Sequence, residues 1–220
     1  MKLPILYSLQ HCPYAMRARL GLLMAQQHVM LRAIVMKDKP QEMLTVSPKG
    51  TVPVLILPDE SIVDESLDIM LWALQQNDPE DLLHKDSPED LAAMLELITR
   101  NDKEFKPQLE IYKKSKRFRT GTELEERQKC EIFIAELEQM LAEKERGGNF
   151  IGDKPGLIDY ALLPFVRQFS RVNKAWFKAA SYPLLQAWLV HHLESRLYSK
   201  AMAKFPLWLD EHEECLFGID

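Results

Sequence analysis

The spacing of apolar positions changes character near residue 80. Before it, short apolar runs alternate with helical stretches; beyond it, apolar positions recur almost wholly at helical spacing. "ILYS" from Ile5 predicts a short buried strand, and "CPYAMRARLGLLMAQQ" a helix with Met16, Leu20, Leu23 and Met24 on one face. "VMLRAIV", "VPVLILP" and "SIVD" supply three more strands. Leu67, Met70, Leu71 and Leu74 then fall at i, i+3, i+4 and i+7, an amphipathic helix. The order β-α-β, a connection, β-β-α predicts a small mixed four-stranded sheet with helices packed on it.

"QQNDPEDLLHKDSPED" is polar and holds two prolines, which predicts a linker over 78–87 between domains at 1–77 and 88–220. Ser87-Pro88-Glu89-Asp90 is a helix start: a hydroxyl cap, proline at the first helical position, then acids. Leu91, Met94, Leu95, Ile98, Phe105 and Leu109 continue it as one long stripe, interrupted by the carboxylate of Asp102. A buried-face carboxylate needs a partner. "TGTELEERQ" opens another helix, with Thr122 as cap and Glu125 three residues on, expected to close at Gly147-Gly148. "GLIDYALLPFVRQF" and "SYPLLQAWLVHHL" add two more, making the second domain all-helical.

Charge and composition narrow the classes. The chain has 220 residues, 46% hydrophobic and 28% charged, with a net charge of −5, so general adhesion to nucleic acid or anionic membrane is disfavoured. No apolar run approaches a membrane span, and "MKLPILYSLQ" carries no secretion signal. Three scattered cysteines, Cys12, Cys130 and Cys215, argue against a disulfide framework and for a reducing, cytoplasmic setting. No Cys or His cluster has metal-ligand spacing, so no metal is expected; the adjacent His191 and His192 cannot face one way on a helix.

Among the cysteines, Cys12 stands apart. It sits where a strand ends and a helix begins, with Pro13 at the first helical position. Unpaired first-turn N–H groups and the helix dipole favour negative charge there, and the charged sulfur is the nucleophile. Cys130 lies on the stripe Cys130, Phe133, Leu137, Met140, Leu141 and reads as core, while Cys215 in a polar tail reads as incidental. In a Cys-x-x-Cys motif the second thiol resolves the first; here that position is Ala15, so a redox-active Cys12 needs an outside thiol.

"HCPYAMRARL", "SPKGTVPVLIL" and "DESLDI", with "FIGDKPGLIDYALLPFVRQF" later, resemble the cytosolic glutathione transferases, most closely their cysteine-type, omega-like and glutaredoxin-like bacterial members. The resemblance implies a thioredoxin-like domain followed by an all-α domain, with glutathione as co-substrate and a homodimer. It implies a cis peptide at Val52-Pro53 whose Val52 backbone pairs with glutathione. Glu65 and Ser66, at a helix N-terminus suited to carboxylates, would hold the γ-glutamyl end, and Lys39 the glycine carboxylate. Tyr112, Trp176 and Phe177 are candidate walls of a second-substrate pocket. Asp159 would be structural, although Gly156 replaces the usual Ser or Thr cap and loses half of a reciprocal capping box.

Three functions are open at this level. The first is a monothiol transferase in which Cys12 exchanges glutathionyl disulfides, removes glutathione from conjugates or reduces dehydroascorbate. The second is a conjugating enzyme in which Tyr7, Ser8 or the helix end activates glutathione toward a small electrophile. The third is a non-catalytic, transferase-shaped binding protein. "YKKSKRFR", with five basic residues from Lys113 to Arg119, reads as a solvated helix end rather than a nucleic-acid patch.

Overall fold

A continuously buried run along Ile5–Ser8 makes the first strand, β1, with Leu6, Tyr7 and Ser8 all buried. Then follow α1 (Pro13–Met24), β2 (Val29–Ala33), α2 (Gln41–Val46), β3 (Val54–Ile56), β4 (Ile62–Val63) and α3 (Ser66–Gln76). The computed structural model describes residues 2–143 and 148–218. The short helix α2 was expected only as a connection. The first helix is not the amphipathic one its spacing suggested. Residues 15–22 are all buried, Arg17 and Arg19 included, while Leu23 and Met24 are only half-buried.

The helical part comprises α4 (Pro88–Arg100), a π-helical turn at Asn101–Phe105, α5 (Lys106–Phe118), α6 (Glu123–Ala142), α7 (Leu157–Val172), α8 (Lys174–Ala179) and α9 (Pro183–Glu194). Met94, Ile98, Phe105 and Leu109 form its buried stripe. The π turn absorbs the irregularity seen at Asp102, whose Oδ1 accepts from the Asn101 Nδ2 at 2.7 Å. Thr122 is the residue before α6, but its side chain makes no capping bond, and Glu125 pairs with Lys129 instead. The helix stops at Ala142; Gly147 of the expected Gly147-Gly148 closure lies outside the described residues.

The tail returns to the sheet. After α10 (Arg196–Ala201) and α11 (Trp208–Glu211), Cys215–Phe217 forms β5, antiparallel to β2, with Cys215 opposite Leu31 and Phe217 opposite Val29. The sheet therefore has five strands, in the order β4-β3-β1-β2-β5, rather than the expected four. β1 and β2 are parallel and the other pairings antiparallel. The tail's apolar trio is short and follows five polar residues, so it gives no signal apart from the edge it completes.

By contacts, residues up to Glu80 group with those from Ser195 onward, and Asp81–Glu194 form a second unit. The stretch expected as linker thus joins the helical unit from Asp81. Leu82, Leu83 and His84 are buried there, and Leu82 O accepts from the Leu157 N–H at 2.8 Å.

Two close approaches hold these units together internally. On α1, a Cβ at Gly21 would lie 2.8 Å from Met70 Cα and 2.5 Å from its Cγ, so α1 and α3 touch backbone to backbone. At the start of α7, a Cβ on Gly156 would lie 2.6 Å from Met94 Sδ and 3.2 Å from His84 Nε2. That crowding is the physical reason for glycine where a hydroxyl cap was anticipated. Asp159 fills the remaining half, accepting the Gly156 N–H at 2.9 Å through Oδ2 and the Trp188 indole N–H at 3.2 Å through Oδ1. Burial outweighs these bonds and pushes the Asp159 carboxyl up to about 6, whereas it pushes the His192 imidazole, packed on Trp188, down to about 4.

Replacing Gly21 by Ala should destabilise the protein by about 1–3 kcal/mol in urea unfolding, although alanine is the better helix former, because Met70 must move. The signs at Asp159 and His192 oppose one another. The folded pKa of Asp159 is raised, so its stabilisation is fully present below its unfolded value near 4 and is lost as pH rises through about 6. The folded pKa of His192 is depressed, so its contribution is present above about 6.5 and is lost as pH falls toward 4. The Asp159→Asn variant should therefore be more destabilised, relative to the parent, at pH 4.5 than at pH 7. The difference is on the order of 2 kcal/mol, measured by denaturant unfolding at both pH values.

Candidate active site

Two contacts fix the geometry of the sheet-bearing unit's N-terminal end. Arg17 meets Ser66, and Gly21 faces Met70, one turn further along both helices. α1 and α3 therefore run side by side in the same direction, and their N-termini lie at the same end. Each N-terminus leaves unpaired N–H groups and the positive end of a dipole, so this end suits anionic groups.

Cys12 occupies the N-cap position of α1, with an extended backbone and no side-chain capping bond. Its carbonyl accepts the Met16 N–H at 2.9 Å, the first bond of the helix. The sulfur is half-buried and lies 3.8 Å from the Val52 carbonyl oxygen. The Val52-Pro53 peptide is cis. Two predicted site elements, forty residues apart, thus meet.

Two buried arginines stand in the first turns of α1. Arg19 is buried and donates to Ser8 Oγ (2.5 Å), Gln10 O (2.6 Å), Ala201 O (2.7 Å) and Leu9 O (3.3 Å). Burial lowers its guanidinium to about 10, partly offset by Cys12 and Tyr198, so it remains cationic at neutral pH. Arg17, fully buried, reaches Ser66 Oγ at 3.4 Å and lies 5.8 Å from the Tyr14 ring centroid. The side chain of Glu65 does not cap α3; it takes Lys49 at 3.1 Å, and Lys49 also pairs with Asp64 at 3.0 Å. The ammonium of Lys39 lies over Gly50, where an added Cβ would be 3.1 Å from Nζ.

Tyr7 and Ser8, the alternative activating hydroxyls, are both engaged as acceptors. Tyr7 Oη accepts from Arg32 at 2.7 Å, and burial raises the pKa of its phenol despite that arginine. Arg32 also stacks 3.9 Å from the Trp208 ring, whose indole N–H donates to Glu42 at 2.5 Å. Ser8 takes Arg19. Both are pieces of buried networks.

In the helical unit, Tyr112, Trp176 and Phe177 come together on one ring, with centroids 6.0, 5.8 and 6.0 Å from that of Phe169. Tyr112 and Phe177 are buried, Trp176 is half-buried, and Phe177 lines a cavity of about 410 Å³. Burial pushes the Cys130 thiol up to about 12, which suits an inert core cysteine.

Sequence reasoning missed Lys49, Arg17 and Arg19 as site partners. A signal existed for the two arginines: they interrupt a helix with no other polar face, so they had to be buried and partnered.

The family comparison agrees with the fold. Models of the N-terminal and C-terminal domains of glutathione S-transferase match residues 6–81 and 119–191, together about two thirds of the chain. The chain belongs to the glutathione S-transferase superfamily of enzymes. It is 27% identical, over 97% of its length and 89% of the relative's, to glutathione S-transferase omega-1 of the mouse Mus musculus. Among solved structures, Ure2p in complex with S-hexylglutathione superposes with a TM-score of 0.77 at 18% identity, covering 92% of this chain and 99% of that one. A glutathione transferase homologue from Lodderomyces elongisporus, holding two glutathione molecules per subunit, gives 0.77 at 16% identity, covering 92% and 98%. These structures share the fold.

Removing the guanidinium of Arg19 strips donors from four buried or half-buried oxygens. The Arg19→Met variant should lose about 3–5 kcal/mol of stability in urea unfolding. A loss under 1 kcal/mol would mean water replaces those bonds.

Proposed function

We propose that this protein is an omega-like, cysteine-type glutathione transferase that works as a monothiol transferase. The observation that carries the reading is Cys12 itself. It is half-exposed at a helix start beside the cis Val52-Pro53 peptide, with the fully buried Ala15 where a resolving thiol would stand. The likeness to an omega-1 relative supports it.

In the first step the Cys12 thiolate attacks the glutathionyl sulfur of a mixed disulfide R–S–S–G. A Cys12–glutathione disulfide forms, the original S–S bond breaks, and R–S⁻ leaves and takes a proton. In the second, a glutathione thiolate attacks the glutathionyl sulfur of that adduct, releasing oxidised glutathione and regenerating the Cys12 thiolate. The net exchange reduces R–S–S–G with one glutathione. The paired helix N-termini and Arg19 favour negative charge near this sulfur. In this reading Val52 offers its backbone to the glutathione cysteinyl, Ser66 and Glu65 receive the γ-glutamyl end, and Lys39 receives the glycine carboxylate. Lys49, already on Glu65, would position that carboxylate. A homodimer and a cytoplasmic setting complete the proposal.

Intact-mass analysis after exposure to oxidised glutathione tests it. The parent protein should gain one glutathionyl group and the Cys12→Ser variant none. Cys12→Ala should lower thiol-transfer kcat/KM by at least about a thousandfold, or about 4 kcal/mol of transition-state stabilisation. Full activity in Cys12→Ala would sink the mechanism and move the chain to the conjugating class.

A further inference from the structure

We infer that the helical unit carries an anion site of its own, a cationic cavity between α5 and α7 that takes a small ligand bearing two phosphate-type groups. The cavity is about 380 Å³, within the size range of small-molecule sites. Lys113, Lys116 and Arg117 line it from α5, and Arg167, Gln168 and Arg171 from α7. Among the described residues, no carboxylate lines it. This is the same basic segment that the sequence presented as a solvated helix end, now met by a second basic stripe it did not reveal.

Helix spacing makes the convergence deliberate in geometry. Lys113 and Arg117 are four apart on one helix, and so are Arg167 and Arg171 on the other, so each helix turns one cationic face to the cavity. Like charges at this spacing repel and weaken a helix. The helix dipole accounts for Lys116, Arg117 and Arg171, which stand in last turns. It does not account for Lys113 and Arg167 further in, nor for both faces meeting in a chain whose net charge is −5.

The balance of charge selects the ligand. Glu110 neutralises Lys113, at 2.8 Å. Lys116, Arg117 and Arg171 make no ion pair among the described residues, which leaves three charges facing the cavity without counter-charge. A phosphate ester carries roughly −1.5 to −2 at neutral pH, so two such groups match them. Guanidinium forks bind phosphate oxygens in pairs, which favours phosphate over a diffuse anion. Gln168 adds a second observation: its Oε1 is buried with no hydrogen-bond partner. Swung outward to the cavity, that amide would accept from a ligand hydroxyl or donate its N–H to an anionic oxygen.

Titration calorimetry of the full-length protein with inorganic pyrophosphate and with orthophosphate, at ionic strength matched by sodium chloride, tests the site. Pyrophosphate should bind saturably, one per chain, at least about tenfold tighter than orthophosphate. The double variant Lys116→Gln/Arg171→Gln should weaken it by at least about tenfold, while Lys37→Gln/Lys85→Gln, which removes equal charge elsewhere, should not. Lys116 and Arg171 are exposed, so the variant keeps its fold, checked by circular dichroism. Non-saturable binding, equal affinity for the two anions, or equal loss in both double variants would each overturn the proposal. The readout is binding, so it stands or falls independently of Cys12.

Discussion

The site of the sheet-bearing unit depends on the contact between α1 and α3. Two helices can run parallel at such close range only where a side chain is absent, and Gly21 against Met70 provides that absence. The same register sets Arg17 beside Ser66 one turn nearer the N-termini. Two dipoles then point their positive ends in one direction, and the first residues of each helix, Cys12 before α1 and Glu65-Ser66 at α3, share one end of the unit. An end suited to anions is a consequence of packing here, before any functional residue is considered.

Burying Arg19 beneath that end has an electrostatic meaning. Its guanidinium cannot be left unpaired, and one hydroxyl and three backbone carbonyls receive it. Neutral acceptors satisfy the donors without cancelling the charge. Positive potential therefore persists near Cys12, where a bound carboxylate partner would have extinguished it. The same logic separates Ser8 from Cys12: the hydroxyl is consumed in fixing Arg19, while the sulfur keeps a half-buried surface.

Local patterns made most of this architecture legible. Each of the first four strands, the helix at Cys12-Pro13 and the helix at Ser66 announces itself through apolar runs, proline and spacing within a few residues. The chemistry of Cys12 and the missing thiol at Ala15 are equally local. What escaped was decided by distant partners. β5 forms because β2 presents an open edge, nearly two hundred residues earlier in the chain. Lys49 matters because Glu65 reaches it, and Gly156 is glycine because Met94 and His84 already fill the space of a cap. Tyr112, Trp176 and Phe177 were read as candidate pocket walls; the ring they all meet, Phe169, carried no local signal for that role.

Ala15 shows how packing and mechanism constrain each other. It has no exposed surface and belongs to the cluster of Tyr7, Met43, Val52 and Val54, against which Cys12 also packs. A thiol placed there would be sealed in that core and would add volume where none is free. A buried thiol in apolar surroundings resists ionisation and is a slow nucleophile. Resolution from within the motif would thus require the core to open, whereas an incoming thiolate needs only the half-exposed face of Cys12. On the proposed reading, dependence on external glutathione follows from how tightly the first turn of α1 is packed.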